Sequence, residues 1–200
     1  TAGGIRRRML RKNLPKAALV IANSQFTNTH LKRLGVAESR RVVVTPGADA
    51  PEQRMDKIAA RKTLKLSPDA QVLLTVGRLV QRKGHVLAID AVASLAQKYP
   101  NLHYLIVGRG AEETHIRTRI AKHHLEQRIH VLNNVEDTNT VYAAADLFVF
   151  PSFEGKRGDV EGFGLVSVEA QAHGLPVIAS NTGGIPETIN PGITGELVEP

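Results

Sequence analysis

The chain has 200 residues, 42% of them hydrophobic, which is enough to bury one full core or two small ones. It contains no cysteine, so disulfides and thiolate-bound metals are excluded. Lys and Arg number 26 against 19 Asp and Glu, a formal charge of +7, and no apolar run approaches the ~20 residues that a membrane-spanning helix needs.

The positive charge is concentrated at the start, with ten Lys or Arg against two acids in residues 1–50 and two against seven in residues 151–200. Arg6, Arg7, Arg8, Arg11, Lys12 and Lys16 form the densest cluster. It reads as an amphipathic or frayed segment missing its partner surface, as a contact for anionic lipid headgroups, or as a contact for nucleic acid. Three Tyr, five Phe and no Trp offer few stacking platforms for single strands, which weighs against nucleic acid. No secretory leader is expected from these basic residues, because no apolar stretch with a cleavage site follows them.

Further along, LVIA predicts a strand at 19–22, the next residues a helix at 25–34, and VVVT a strand at 42–45. The polar stretch 48–68, bounded by prolines, reads as a linker holding a helix at 51–64. From there the pattern is regular. Apolar strands near 72–76, 104–107, 129–132, 147–150, 177–180 and 196–198 alternate with helical spacing near 85–99, 112–124, 139–144, 164–173 and 185–189. This alternation predicts an α/β, Rossmann-like parallel sheet with helices on both faces. Right-handed crossovers then bring the strand-to-helix loops to one rim. Those loops carry Arg78, Lys83, Gly108, Arg109, Glu161 and Gly183.

The first of these loops, GRLVQRKG, places Arg78 at a strand end and Lys83 just before a helix. Two cations beside a helix N-terminus suit a polyanion: Arg can fork onto a diphosphate, and Lys adds a point charge. A solvated loop is the competing reading. Gly108-Arg109-Gly110 ends the next strand, as a ligand turn or as a tight connection. The most informative stretch is EGFGLVSVE, in which Glu161 and Glu169 stand eight residues apart. Helical rise separates two such carboxylates by roughly 10–12 Å, wider than the about 5–9.5 Å of acid–base pairs acting on one glycosidic bond. They fit the two ends of an extended ligand rich in hydroxyl donors. Gly162 and Gly164 allow close backbone approach and leave helix N–H groups free. The alternative is a surface Glu and a helix-face Glu flanked by capping glycines. His115, His123, His124 and His173 lack metal-ligand spacing, so no metal is expected.

GRLVQRKG, VGRG and PSFEGKRGDVEGFGLVSVEAQAHGLPVIASNTGGIPE, in this order and spacing, make residues 71–200 resemble the C-terminal half of the family 4 glycosyltransferases. These are retaining, nucleotide-sugar-dependent enzymes of the two-domain GT-B fold. ALVIANSQFTNTHLKRLG followed by VVVTPGAD resembles the last strand–helix–strand unit of that family's N-terminal domain. The resemblance implies that residues 1–50 end the N-terminal (acceptor) domain, 51–68 form the interdomain linker region, and 69–200 form the nucleotide-sugar-binding domain. It also implies an internal fragment, since GELVEP stops short of the family's closing helix.

Carried over residue by residue, Arg78 and Lys83 match the pair that grips the donor diphosphate. Glu161 matches the glutamate near the reacting sugar carbon, catalytic in the sense of positioning. The backbone amides of Gly162, Phe163, Gly164 and Leu165 match the turn facing sugar and phosphate, Glu169 matches the ribose anchor, and Gly108 joins the substrate-binding set. Glu187 matches a recurring family position without an assigned role. The segment 155–160 (GKRGDV) is an added charged loop, in which Lys156, Arg157 and Asp159 read as solvated and Glu154 is a decoy for Glu161. The Asp-x-Asp signature of metal-dependent glycosyltransferases is absent, so no divalent ion or cofactor is expected, and Arg78 and Lys83 would balance the leaving-group charge.

The expected activity is sugar transfer from a UDP- or GDP-sugar to a glycan, lipid or small-molecule acceptor held by the missing N-terminal domain. The expected setting is the cytoplasm, with the inner membrane face as a candidate peripheral contact. The fragment alone is expected to bind donor without turnover. The rivals are a non-catalytic nucleotide-binding module, another GT-B enzyme such as a nucleotide-sugar epimerase, and a nucleic-acid-binding protein.

Overall fold

The structure is a computed structural model and describes residues 2–156 and 158–200, with side chains from Arg8 onward. Arg157 and the side chains of Arg6 and Arg7 lie outside the described residues. The sequence reading assigns no element to the basic N-terminus, yet it forms helix α1 (Ala2–Asn13). Its Arg, Leu, Met and Lys residues are good helix formers, and Arg11 and Lys12 in the last turn complement the negative end of the helix dipole. Residues 8–12 are exposed. Two short parallel strands follow, β1 (Val20–Ala22) and β2 (Arg41–Val43), joined by helix α2 (Gln25–Arg33). Ala22, Leu31 and Val36 form their small core, while Leu19, Ile21, Val42 and Val44 face outward.

Helix α3 (Lys57–Thr63) is shorter than the predicted 51–64, because Asp56 caps it by accepting the Ala59 N–H at 2.9 Å. Strand β3 (Gln71–Val76) opens the main sheet, followed by α4 (His85–Leu95), β4 (Leu102–Val107), α5 (Glu113–Lys122), β5 (Ile129–Leu132), α6 (Asn139–Ala144), β6 (Leu147–Phe150), α7 (Leu165–Ala172), β7 (Val177–Ser180) and β8 (Gly195–Val198). The six strands β3–β8 are all parallel, in the order β5-β4-β3-β6-β7-β8. The predicted helix at 185–189 is a 3-10 turn, Ile185–Thr188, with Pro186 in its opening positions.

Period-two alternation explains why both faces of the sheet are apolar. Val72, Leu74, Leu105, Val107, Phe148, Phe150, Val177 and Ala179 point to one side, where Val141 and Tyr142 of α6 and Ala170 of α7 cover them. Tyr104, Ile106 and Ile129 point to the other, beneath Ala88, Ile89 and Val92 of α4 and Ile116 and Ile120 of α5. The fold is therefore the expected parallel sheet with helices on both faces.

A charged contact fastens α3 to this sheet. Arg61 is buried, and its Nη2 donates to Asp146 Oδ2 at 2.6 Å, its Nε to the Ala144 carbonyl at 3.1 Å and its Nη1 to the Pro68 carbonyl at 2.7 Å. Asp146 also accepts the Val72 N–H at 2.8 Å and Lys57 Nζ at 2.8 Å. Burial works against the Asp146 carboxylate, but these donors outweigh it and hold its pKa below the usual value. Removing one partner of a buried charged contact leaves the other unsatisfied. We expect Asp146→Ala to cost about 2–4 kcal/mol in urea unfolding, against under about 0.5 kcal/mol for Lys57→Ala, whose side chain is exposed. Equal, small effects of both would contradict this account of Arg61.

Candidate functional site

The strand order fixes where a ligand can lie. From β3 the chain moves outward through β4 and β5, then crosses back to the other side of β3 to form β6. Loops after β3 and β6 therefore diverge at the carboxyl edge, leaving a crevice at this topological switch point. One wall is the loop Gly77–Gly84 and the other the loop Pro151–Glu161. Their paths touch at two points before they part: a Cβ at Gly84 would lie 1.8 Å from the Pro151 carbonyl oxygen, and the Phe153 N–H donates to the Arg82 carbonyl at 2.8 Å.

Lys83 and Glu161 meet in this crevice. Lys83 Nζ donates to Glu161 Oε2 at 2.6 Å and lies 4.7 Å from the centre of the Phe150 ring. Arg82 Nη1 donates to the same oxygen at 2.9 Å, while its Nε stands 3.6 Å from Asp159. Lys83 is 7% exposed, and burial pulls its ammonium pKa down, with Glu161 opposing. Burial alone would raise the Glu161 carboxyl, but hydrogen bonds from Lys83 and Arg82 prevail and lower it. Glu154, the decoy, is exposed on the loop surface. Arg78 is exposed beside the cluster, and no ion pair is found for it among the described residues. Its carbonyl accepts from the buried His85 Nε2 at 3.1 Å, and burial favours the neutral imidazole this arrangement uses.

Two helix mouths open on the same rim. Helix α4 begins after Gly84 (φ 69°) and α7 after Gly164 (φ 102°), both left-handed glycines without a capping side chain. Their first N–H groups are thus unclaimed by side chains, as anion sites at helix N-termini require. Gly162 and Gly164 both lie against protein. A Cβ at Gly164 would lie 2.7 Å from the Phe150 ring, and the Gly162 carbonyl accepts from Ser24 Oγ at 2.6 Å. The Phe163 side chain is buried at 5% exposure, while Leu165 is exposed. Gly108 (φ 148°) packs on the start of the loop after β3, since a Cβ there would meet the Gly77 carbonyl oxygen at 1.9 Å. Arg109 bridges to the next loop, donating to the Asn133 carbonyl at 2.7 Å and to Asn134 Oδ1.

Glu169 lies toward the far end of α7 and is held by the buried Tyr142 hydroxyl at 3.0 Å. Burial and this carboxylate raise the Tyr142 pKa, keeping the phenol a donor. His173 stacks on Tyr142 with ring centres 4.5 Å apart. The structure thus joins Lys83 with Glu161 and places Glu169 apart from them along α7. Arg82, His85 and Tyr142 escape sequence reasoning. Arg82 carries no spacing signal that separates it from other basic loop residues, and His85 and Tyr142 fall on buried helix faces. Among the described residues, no group of three or more His, Asp or Glu side chains is arranged to hold a metal ion, and no helix is long and apolar enough to cross a membrane.

A parallel α/β sheet that reverses its strand order at β3 and β6, with Lys83 and Arg82 gathered on Glu161 at its carboxyl edge, places the chain in the doubly wound class. The family model described as "Glycosyl transferases group 1" matches residues 56–200, and the chain belongs to this family. It is 34% identical over 190 residues to D-inositol 3-phosphate glycosyltransferase of Segniliparus rotundus, covering 90% of this chain and 40% of that protein. It is 36% identical over 200 residues to the GDP-mannose-dependent monoacylated alpha-(1-6)-phosphatidylinositol monomannoside mannosyltransferase of Corynebacterium glutamicum, covering 96% and 52%. The chain thus spans about half the length, or less, of these curated relatives. Among solved structures, Anabaena HepE in complex with UDP superposes with a TM-score of 0.79 at 32% identity, covering 92% of this chain and 50% of that one. Sucrose-phosphate synthase from Thermosynechococcus elongatus superposes with a TM-score of 0.83 at 31% identity, covering 98% and 49%. The fold matches that of GT-B glycosyltransferases.

The Glu161 contact has a testable pH signature. Its folded pKa lies below its ordinary 4.5, so its stabilisation is fully present above that value and is lost as pH falls through the folded pKa. Glu161→Gln should therefore lower the urea midpoint at pH 7, and the gap from the native chain should close below pH 4.5. A gap of constant size from pH 7 to 3 would contradict the ion pair.

Proposed function

We propose that this chain is the donor-binding half of a retaining glycosyltransferase that moves a sugar from a UDP- or GDP-sugar to a glycan, lipid or small-molecule acceptor. The observation that carries this reading is the buried Lys83–Glu161 contact at the switch point, set beside two helix mouths without side-chain caps. A diphosphate arriving there competes with Glu161 for Lys83. The ammonium passes to phosphate, Arg78 folds in from solvent, and the α4 and α7 amides take the remaining oxygens. Glu161, released from Lys83, is then free to accept a hydroxyl of the transferred sugar. Negative charge building on the departing diphosphate is stabilised by the same two cations. Glu169 accepts the ribose hydroxyls beside Tyr142. The backbone of Gly162, Phe163, Gly164 and Leu165 faces the sugar and phosphate, and Gly108 borders the nucleoside.

Support for the donor class comes from relatives. HepE has been solved with UDP and with UDP-glucose, and the Corynebacterium enzyme is named for GDP-mannose. Residues 1–50 end the acceptor domain in this reading, with 51–68 connecting it to 69–200. Acceptor contacts lie on a partner domain outside this chain. The exposed basic residues of α1, including Arg8, Arg11 and Lys12, suit an anionic membrane surface, and this supports a cytoplasmic enzyme working at the inner membrane face.

Titration calorimetry with UDP and GDP tests the reading. One of the two should bind, and Arg78→Ala and Lys83→Ala should each weaken it by about tenfold or more, about 1.4 kcal/mol per decade. Glu169→Ala should weaken nucleoside diphosphates but not inorganic pyrophosphate. Failure of the native chain to bind either nucleotide, or equal affinity in Arg78→Ala and Lys83→Ala, would end this assignment. Sugar transfer by the 200 residues alone would overturn the need for a partner domain.

A further inference from the structure

Glu187 sits on the 3-10 turn Ile185–Thr188, yet its carboxylate acts on a helix 161 residues earlier. Oε2 accepts the Gln25 N–H and Oε1 the Phe26 N–H, each at 2.7 Å. These are the first two amides of α2, and the third, from Thr27, goes to the cap residue Ser24 at 2.9 Å. The opening turn of α2 is therefore satisfied by its own cap together with a carboxylate from the other half of the chain.

The same junction reaches the candidate site. Ser24 Oγ donates to the Gly162 carbonyl at 2.6 Å, and the Gly184 N–H donates to the Glu161 carbonyl at 2.9 Å. Gly183 and Gly184 have no room for side chains: a Cβ would lie 2.3 Å from the Glu161 carbonyl oxygen and 2.1 Å from that of Gly162, respectively. Segment 183–187 thus touches the backbone of Glu161 and Gly162 on one side and α2 on the other.

We infer that Glu187 is a latch between the β1–α2–β2 unit and the sheet domain, and a positioning residue that holds the Glu161 turn in register. With the latch closed, the mouth of α2 is held against the Gly162 carbonyl, and donor exit is slowed. The positioning role rests on the donor site proposed above; the latch itself does not.

Both parts are tested in the 200-residue chain by comparing the native protein with Glu187→Ala and Glu187→Gln. In Glu187→Ala, amide exchange at Gln25 and Phe26 should quicken on the order of tenfold, with β3 and β4 unchanged. Glu187→Gln keeps one carbonyl oxygen, so it should restore protection at one of the two amides. Unchanged protection at both in Glu187→Ala would overturn the latch. If that variant fails to fold, full native protection of both amides in Glu187→Gln would overturn it instead. For the positioning role, UDP and GDP dissociation is followed by stopped flow. The bound nucleotide should leave on the order of tenfold faster from Glu187→Ala, and Glu187→Gln should fall between. An unchanged dissociation rate together with quickened exchange would overturn the positioning role. A native chain that binds neither nucleotide would sink the donor reading and the positioning role with it, leaving the latch to be decided by exchange alone.

Discussion

A buried charge must find a partner, and in this chain that rule organises the rim of the sheet. Lys83 is almost wholly withdrawn from water, held against the Phe150 ring and Glu161. An ammonium so placed would lose its proton or disrupt its surroundings without an acceptor. Glu161 supplies one, and Arg82 shares it. The loops after β3 and β6 are thereby tied together. In the proposed donor reading the contact is also exchangeable, because a ligand phosphate would take the same ammonium without a new burial cost.

Backbone contacts do the rest of the fastening. Gly84 against Pro151, Gly108 against Gly77, and Gly183 and Gly184 against Glu161 and Gly162 are approaches that no side chain would permit. They explain why the glycine-rich stretches of the sequence cluster at strand ends. Several of these glycines serve the packing of one loop on another. The crevice is therefore shaped by main chain and lined by a few charged side chains, an arrangement that limits how far its parts can drift.

Much of this was legible in the sequence. Alternating strands and helices gave the parallel sheet, and the strand bounds fell within a residue or two because apolar period-two runs are short and sharply bordered. The pairing of Lys83 with Glu161 had a trace in the order of motifs, as each falls in a strand-end loop and the crossover brings those loops together. Helix α1 was not legible, since a run of arginines reads as charge before it reads as helix. The start of α3 was obscured because Pro51 and the helical spacing masked Asp56 as the cap. Arg82, Tyr142 and the reach of Glu187 to α2 depend on three-dimensional neighbours that a single sequence does not encode locally. The burial of the Phe163 side chain likewise has no local signal, since an aromatic between two glycines lies outside any apolar run.

The openings of α4 and α7 offer main-chain amides, and amides are identical whatever residue carries them. A grip built from such groups is hard to erase by point mutation and indifferent to what hangs from the anion it holds. In the proposed donor reading, changes in chemical preference fall to the side chains around that grip. One scaffold can in this way be inherited by many enzymes whose cargoes differ, with novelty confined to the margin and the anchoring left alone.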